Sequence, residues 1–222
     1  MSVPSAVADG SVFESDPPAT ADGDSVWIRK ELLQRSAGLQ LKRIMSNVVT
    51  VWTVGHSTRS GEEFGEILSA HEIQVLVDVR SFPGSRRYPQ FNRSALSESL
   101  TKLGIEYKHE PRLGGRRTPR ADSQNTAWRN SSFRGYADYM ETNQFKAGVE
   151  ELLKLAANAR TTVMCAEAVW WRCHRSLIAD YLKAAGHTVI HILDQKKTEE
   201  HPFTSAARIV KGKLSYRGLL NL

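Results

Sequence analysis

The segment Ile73–Val79 is apolar at nearly every position, and this constrains the fold more than any other feature of the chain. A strand with one wet face alternates, whereas a strand apolar on successive residues is buried on both faces, as in a parallel sheet covered by helices. Thr161–Cys165 reads the same way, and Val48–Val54, Ile105–His109 and Thr188–Leu193 add three further strands. Helical segments lie between them. Phe64, Ile67 and Leu68 fall at helical spacing behind Thr58 or Ser60 as the cap. Ser94–Leu103 is closed by Gly104 and Cys173–Ala185 by Gly186, while Asp138–Ala159 reads as one helix through Phe145, Val149 and Leu152. Strands alternating with helices predict right-handed crossovers. The expected fold is a single three-layer α/β domain over residues 45–195, a mainly parallel sheet with helices on both faces, Rossmann-like in arrangement.

At 222 residues the chain is sized for one such domain with extensions. Its 41% hydrophobic and 24% charged residues exclude a disordered polyampholyte. No apolar run approaches the ~20 residues that span a bilayer, and the N-terminus lacks the pattern of a signal peptide. Two cysteines do not make a disulfide scaffold, so a cytoplasmic protein with reduced thiols and no membrane contact is expected. Residues 1–24 are expected to be disordered and 25–44 to form a short helix, unless 1–44 lies upstream of the true start at Met45. Residues 196–222 are a basic, mixed tail without a placement.

Charge points to partners. The first 24 residues carry five acids and no Lys or Arg, which places +11 on the remainder against +6 overall. Such a surface favours phosphate-bearing partners, here a nucleic acid or a phosphorylated small molecule. Residues 111–134 add an arginine-rich loop, with Arg112, Arg116, Arg117, Arg120, Arg129 and Arg134 against the single acid Asp122. Gly114-Gly115 reads as a hinge, and 113–131 is expected to be a mobile lid that orders on an anion.

Ligands of open parallel sheets bind beyond the carboxyl ends of the strands. Those ends here are Gly55-His56-Ser57, Asp78-Val79-Arg80 running on to Ser85-Arg86-Arg87, His109 before Leu113-Gly114-Gly115, and Cys165-Ala166-Glu167 running on to Cys173-His174-Arg175. Together with Thr53-Val54 before His56, Leu76-Val77 before Asp78, Pro83, and Tyr136-Ala137-Asp138-Tyr139-Met140, these strings resemble the DUF488 family over about residues 51–193. Many members carry Pro where this chain has Trp170. The resemblance implies an α/β fold and a site at this edge, and it leaves the reaction open.

The residue types suggest roles. His56, Asp78, Glu167 and His174 are candidates for acid–base work. Asp78 lies in an apolar strand on the same face as Arg80, so a structural ion pair is an equal reading. Cys173, expected in the first turn of a helix, is a candidate low-pKa thiol, and Cys165 at its strand's carboxyl end is either a second reactive thiol or a plain core thiol. Ser57, Arg80, Ser85, Arg86, Arg87, Arg116, Arg117 and Arg175 are candidate substrate or phosphate contacts. No cofactor or metal is expected: Cys173 and His174, adjacent on a helix, converge poorly on one ion, and neither a P-loop nor Gly-x-Gly-x-x-Gly occurs. Three functions fit: an enzyme acting on a nucleic acid, nucleotide or modified base, a non-catalytic nucleic-acid-binding module, and a thiol-dependent sulfur or redox enzyme.

Overall fold

The computed structural model describes residues 48–218, so the expectations for residues 1–44 lie outside the described residues. Five parallel strands and one antiparallel strand form a sheet in the order β3-β2-β4-β1-β5-β6. They are β1 (Thr50–Gly55), β2 (Val75–Asp78), β3 (Glu106–His109), β4 (Thr161–Cys165), β5 (Thr188–Ile192) and β6 (Thr198–Glu200). Every residue of β2 and of β4 is buried, as a strand covered on both faces must be.

Five helices supply the cover: α1 (Gly61–Ala70), α2 (Arg93–Lys102), α3 (Ser131–Met140), α4 (Asn143–Ala156) and α5 (Arg175–Ala184). One core layer joins Phe64, Ile67 and Leu68 of α1 and Leu96 and Leu100 of α2 to Val54, Leu76 and Met164 of the sheet. The other joins Tyr136, Phe145, Leu152 and Leu177 of α3–α5 to Val51, Val77, Val163 and Val189. The expected three-layer α/β architecture is therefore present. Among the described residues, no helix is long and apolar enough to cross a membrane.

The layers fix where a site can form. Connections leaving β1 and β2 run to the α1–α2 face, and those leaving β3 and β4 run to the α3–α5 face. Since β4 sits between β2 and β1, the chain parts in opposite directions at adjacent strand ends, and a crevice opens there.

Local chemistry sets the element ends. The Ser60 side chain accepts from the Glu63 backbone N–H and starts α1, a cap contributing about 1 kcal/mol. Gly104 and Gly186 take the left-handed conformation that closes α2 and α5. The helix expected over 138–159 divides into two, because Thr142 caps the Phe145 N–H and begins a new helix, while Asn130 caps α3 well upstream. Apolar periodicity cannot register such a break when both helices bury the same face.

Residues 196–218 also find a place. β6 pairs antiparallel with β5, β7 (Arg208–Val210) pairs with β8 (Lys213–Ser215), and Tyr216 is buried in the α3–α5 core layer.

Candidate active site

The edge of β1 and β4 is built by backbone. Beyond the strands proper, the His56 N–H donates to the Cys165 carbonyl at 3.1 Å and the Ser57 N–H to the Ala166 carbonyl at 3.0 Å. The chain after Cys165 crosses so close to Gly55 that a Cβ there would lie 1.8 Å from the Glu167 carbonyl oxygen. Gly55 therefore accommodates the protein's own backbone. A cavity of about 1020 Å³ opens over this edge. It gathers His56, Ser57, Arg80, Ser85, Arg116, Glu167, Cys173 and His174 of the expected site, with Cys165.

Cys173 is the chemical centre. It precedes α5 in extended backbone (φ −139°, ψ 160°) and is not inside the helix as expected. Its Sγ accepts from the Arg175 N–H and from Arg175 Nε, each at 3.3 Å, taking up one of the unpaired N–H groups of the helix start. Cys165 Sγ lies 2.7 Å away. Burial by itself opposes charge on Cys173, but the Cys165 hydrogen bond, the Arg175 charge and the Arg175 hydrogen bonds outweigh it and bring the thiol down to about 6. Burial, and the bond Cys165 gives to Cys173, push the Cys165 thiol well above its ordinary value. These opposite shifts favour a thiolate at Cys173, with Cys165 as the thiol that donates to it.

Arg175, expected to touch phosphate, cannot do so, because it is buried with its guanidinium already engaged. Nη2 donates to the Glu167 carbonyl at 2.6 Å and the Ala168 carbonyl at 3.3 Å, pinning the loop between the cysteines. Nη1 donates to Thr53 Oγ1 at 3.4 Å, and from there a buried chain runs on through the α3–α5 side of the molecule. Thr53 Oγ1 meets His191 Nδ1 at 2.7 Å, His191 Nε2 meets His201 Nδ1 at 2.9 Å, and His201 Nε2 meets Asp180 Oδ1 at 3.0 Å. Asp180 also accepts from Thr204 N and Oγ1 and from the Tyr216 hydroxyl. Trp170 stacks on His191 with centroids 4.4 Å apart. Burial, then the neighbouring His201 and Arg175, holds His191 down at about 2, so it is neutral. Arginine only donates and a carboxylate only accepts, so the chain has a fixed donor at its Arg175 end and a fixed acceptor at its Asp180 end. None of His191, His201 and Asp180 was among the sequence candidates. A signal existed in His191, a polar residue inside an otherwise apolar strand, like Asp78.

Asp78 lies outside the cavity. Fully buried, it accepts from Arg80 N, Nε (2.9 Å) and Nη2 (2.6 Å) and from the Tyr107 hydroxyl (2.8 Å), which makes it the structural partner of Arg80. Burial, then the Asp78 charge, raises Tyr107 beyond its ordinary value. Arg80 in turn points Nη1 at His56 Nε2, 3.3 Å away. His56 Nδ1 donates to the Ser57 carbonyl at 2.9 Å, and the ring stacks on Phe91. Burial, then the Arg80 charge, lowers His56 to about 4, so it is a neutral imidazole with both nitrogens engaged.

His174 faces the cavity from the other side. Its Nε2 lies 3.3 Å from the Val79 carbonyl, its ring packs on Tyr136, and burial lowers its pKa. Gly115 leaves the space this ring fills, since a Cβ there would lie 2.8 Å from Nδ1. Glu167 lines the cavity and is exposed.

The basic residues separate into two groups. Arg116 lines the cavity with positive φ (59°), joined by Arg172, which the sequence reading passed over. Arg117 lies over the Tyr139 ring at 3.6 Å and donates to the Gly114 carbonyl, and Arg86 and Arg87 are exposed outside the cavity. Residues 113–131, expected as a lid, are tied to the domain by hydrogen bonds. The buried Asp138 carboxylate accepts from Arg120 N, Ser123 Oγ and Asn125 Nδ2, and the Tyr136 hydroxyl donates to the Leu113 carbonyl. The arginine repulsion is relieved by Glu110 on Arg112 and by Glu141 on Arg120. Gly114, expected as a hinge, has an ordinary extended backbone packed against Ser81.

Among the described residues, no group of three or more His, Cys, Asp or Glu side chains converges as a metal site. No curated protein and no solved structure matches the chain. A family model described as a domain of unknown function, DUF488, matches residues 60–182, from the cap of α1 to within α5, and so takes in β2, β4 and both cysteines. With more than half of its length matched in this way, the chain belongs to the DUF488 family.

Proposed function

We propose that the protein is a thiol-dependent enzyme in which the Cys173 thiolate attacks an electrophilic centre of a small anionic molecule, the anion being a phosphate, as on a nucleotide, or a carboxylate. The observation that carries this reading is the convergence of two Arg175 donors and the Cys165 thiol on a sulfur that lines the cavity. A thiolate, not a thiol, is the nucleophile, and a neighbouring guanidinium is one of the standard ways to hold one at neutral pH. Arg116 and Arg172 supply the cations for an anionic substituent, while Phe82, Tyr88 and Phe133 add aromatic lining against which a base could pack. The volume matches small-molecule sites.

The test is the pH dependence of alkylation. Iodoacetamide should label Cys173 with a midpoint near pH 6, and Cys173→Ser should abolish that phase while leaving the fold intact. A midpoint at the ordinary thiol value of about 8.5 would remove the reading.

A second reading keeps the nucleic-acid partner. Phe82 and Trp171 are large apolar side chains left exposed, and Arg86, Arg87 and Arg172 are their sequence neighbours, which suits a stacked, phosphate-bearing strand. In this version Glu167 is the acid–base group. Glu167→Ala should then retain oligonucleotide affinity and lose turnover, and affinity that is flat against salt would exclude the strand altogether.

A further inference from the structure

We infer that Cys165 and Cys173 work as a dithiol pair that reduces small anionic disulfides, Cys173 taking the incoming sulfur and Cys165 resolving the adduct. The inference rests on the thiol reading of Cys173 and adds to it the chemical class of the electrophile and a role for the second cysteine.

The geometry carries it. Two sulfurs 2.7 Å apart both line the cavity, one at the end of β4 and one at the threshold of α5. The loop joining them cannot easily part them, because the Arg175 guanidinium holds the Glu167 and Ala168 carbonyls and Gly55 admits the same backbone. Two core thiols packed only as small hydrophobes would not need a guanidinium and a backbone N–H directed at one of them.

The neighbouring thiol also selects the reaction. If Cys173 took up an alkyl group, Cys165 would have no bond it could break. If Cys173 took up an acyl group, Cys165 would only accept the acyl in turn. A sulfur–sulfur bond is different, because attack at the Cys173 sulfur releases a stable thiolate.

The steps balance as follows. The Cys173 thiolate attacks one sulfur of a disulfide RSSR, forming a mixed disulfide and expelling RS⁻, which takes the Cys165 proton. The Cys165 thiolate then attacks the Cys173 sulfur and expels the second RS⁻, leaving the Cys165–Cys173 disulfide. RSSR is reduced by two electrons and the cysteine pair is oxidised by two. The donors from Arg175 favour the thiolate and so the dithiol form, which makes the protein disulfide easy to reduce again by a small thiol.

Glutathione disulfide is a suitable probe, since its carboxylates suit Arg116 and Arg172. The reduced, full-length chain is exposed to it at neutral pH, quenched with iodoacetamide and examined by intact mass and peptide mapping. The wild type should lose two hydrogens, carry no label, and yield a linked Cys165–Cys173 peptide that excess dithiothreitol reverses. Cys165→Ser should stop with one glutathionyl group on Cys173, and Cys173→Ser should take up none. Should a serine variant fail to fold, the wild-type linkage map decides alone.

Three outcomes overturn the inference. A wild type that stops at the mixed disulfide removes Cys165 as the resolving thiol. A wild type inert to glutathione disulfide whose Cys173 iodoacetamide still labels near pH 6 removes sulfur as the electrophile. Both leave the thiol reading standing, whereas a Cys173 that iodoacetamide labels only at ordinary thiol pH takes down both.

Discussion

Arg175 reaches back two residues to hold the Cys173 sulfur from two sides, through its own backbone N–H and through Nε, both at 3.3 Å. One side chain thus sets the charge of the sulfur and, through Nη2, the path of the loop that delivers the other cysteine. Glu167 and Ala168 contribute carbonyls to this arrangement, and Thr53 links it to the buried His191–His201–Asp180 chain.

Replacing Arg175 should therefore change acidity and stability together. In Arg175→Met the alkylation midpoint of Cys173 should move up from about 6 by at least one pH unit, and two carbonyls lose their donor. Leaving such groups unsatisfied costs about 1–3 kcal/mol each, to be read by urea denaturation. Arg175→Lys retains the charge without the fork, so the midpoint should recover further than the stability. Equal recovery of both would assign the acidity to general collapse of the site.

His56 and His191 are held neutral at about 4 and about 2, against about 6.5 when unfolded. Each contributes stability that is complete above the unfolded value and is lost as pH falls toward the folded value, because the unfolded chain takes up protons that the native chain refuses. Between about pH 5.5 and 4 the two together should lower stability by up to about 2.7 kcal/mol per pH unit. Urea titrations across this range on the wild type and on His56→Gln measure it. The slope should fall by up to about 1.4 kcal/mol per pH unit in the variant, and an unchanged slope would mean that His56 is not the buried neutral group described.

At Gly55, a methyl group would meet the Glu167 backbone at 1.8 Å, and backbone has no rotamer by which to retreat. Gly55→Ala should cost about 2–4 kcal/mol and shift the loop that carries the site. Gly115→Ala meets only the His174 ring, at 2.8 Å. It should be milder in stability, and its effect should appear as perturbed His174 resonances in NMR spectra.

Asp138 is the clamp of the arginine-rich segment. Burial works against its charge, but bonds from Ser123, Asn125 and the Arg120 N–H prevail and hold the carboxyl below its usual value. Limited trypsin digestion of the ligand-free protein should leave the bonds after Arg116, Arg117 and Arg120 slow to cut. Asp138→Ala should raise cleavage there by tenfold or more, since local opening sets the rate. Rapid cutting in the wild type would restore the mobile lid.

The sequence by itself determined the layered architecture and the edge at which chemistry gathers. Both follow from local information: runs such as Val75–Asp78 and Thr161–Cys165 can only be strands covered on two sides, and the residues after each strand must lie at one edge. It also placed His56, Glu167, Cys173 and His174 at one sheet edge, where the structure has them line one cavity. Only the tertiary structure decided which charges are free. Arg175 and Arg116 look alike in a sequence, yet one is enclosed by Thr53 and two carbonyls and the other lines the cavity. The same holds for Asp138, whose partners lie at 120–125, and for Asp180, which meets His201 and Tyr216 from a region the sequence left unplaced. Periodicity reports which face a side chain takes. What it meets there comes from segments far along the chain, and for a charged group that partner decides between support and catalysis.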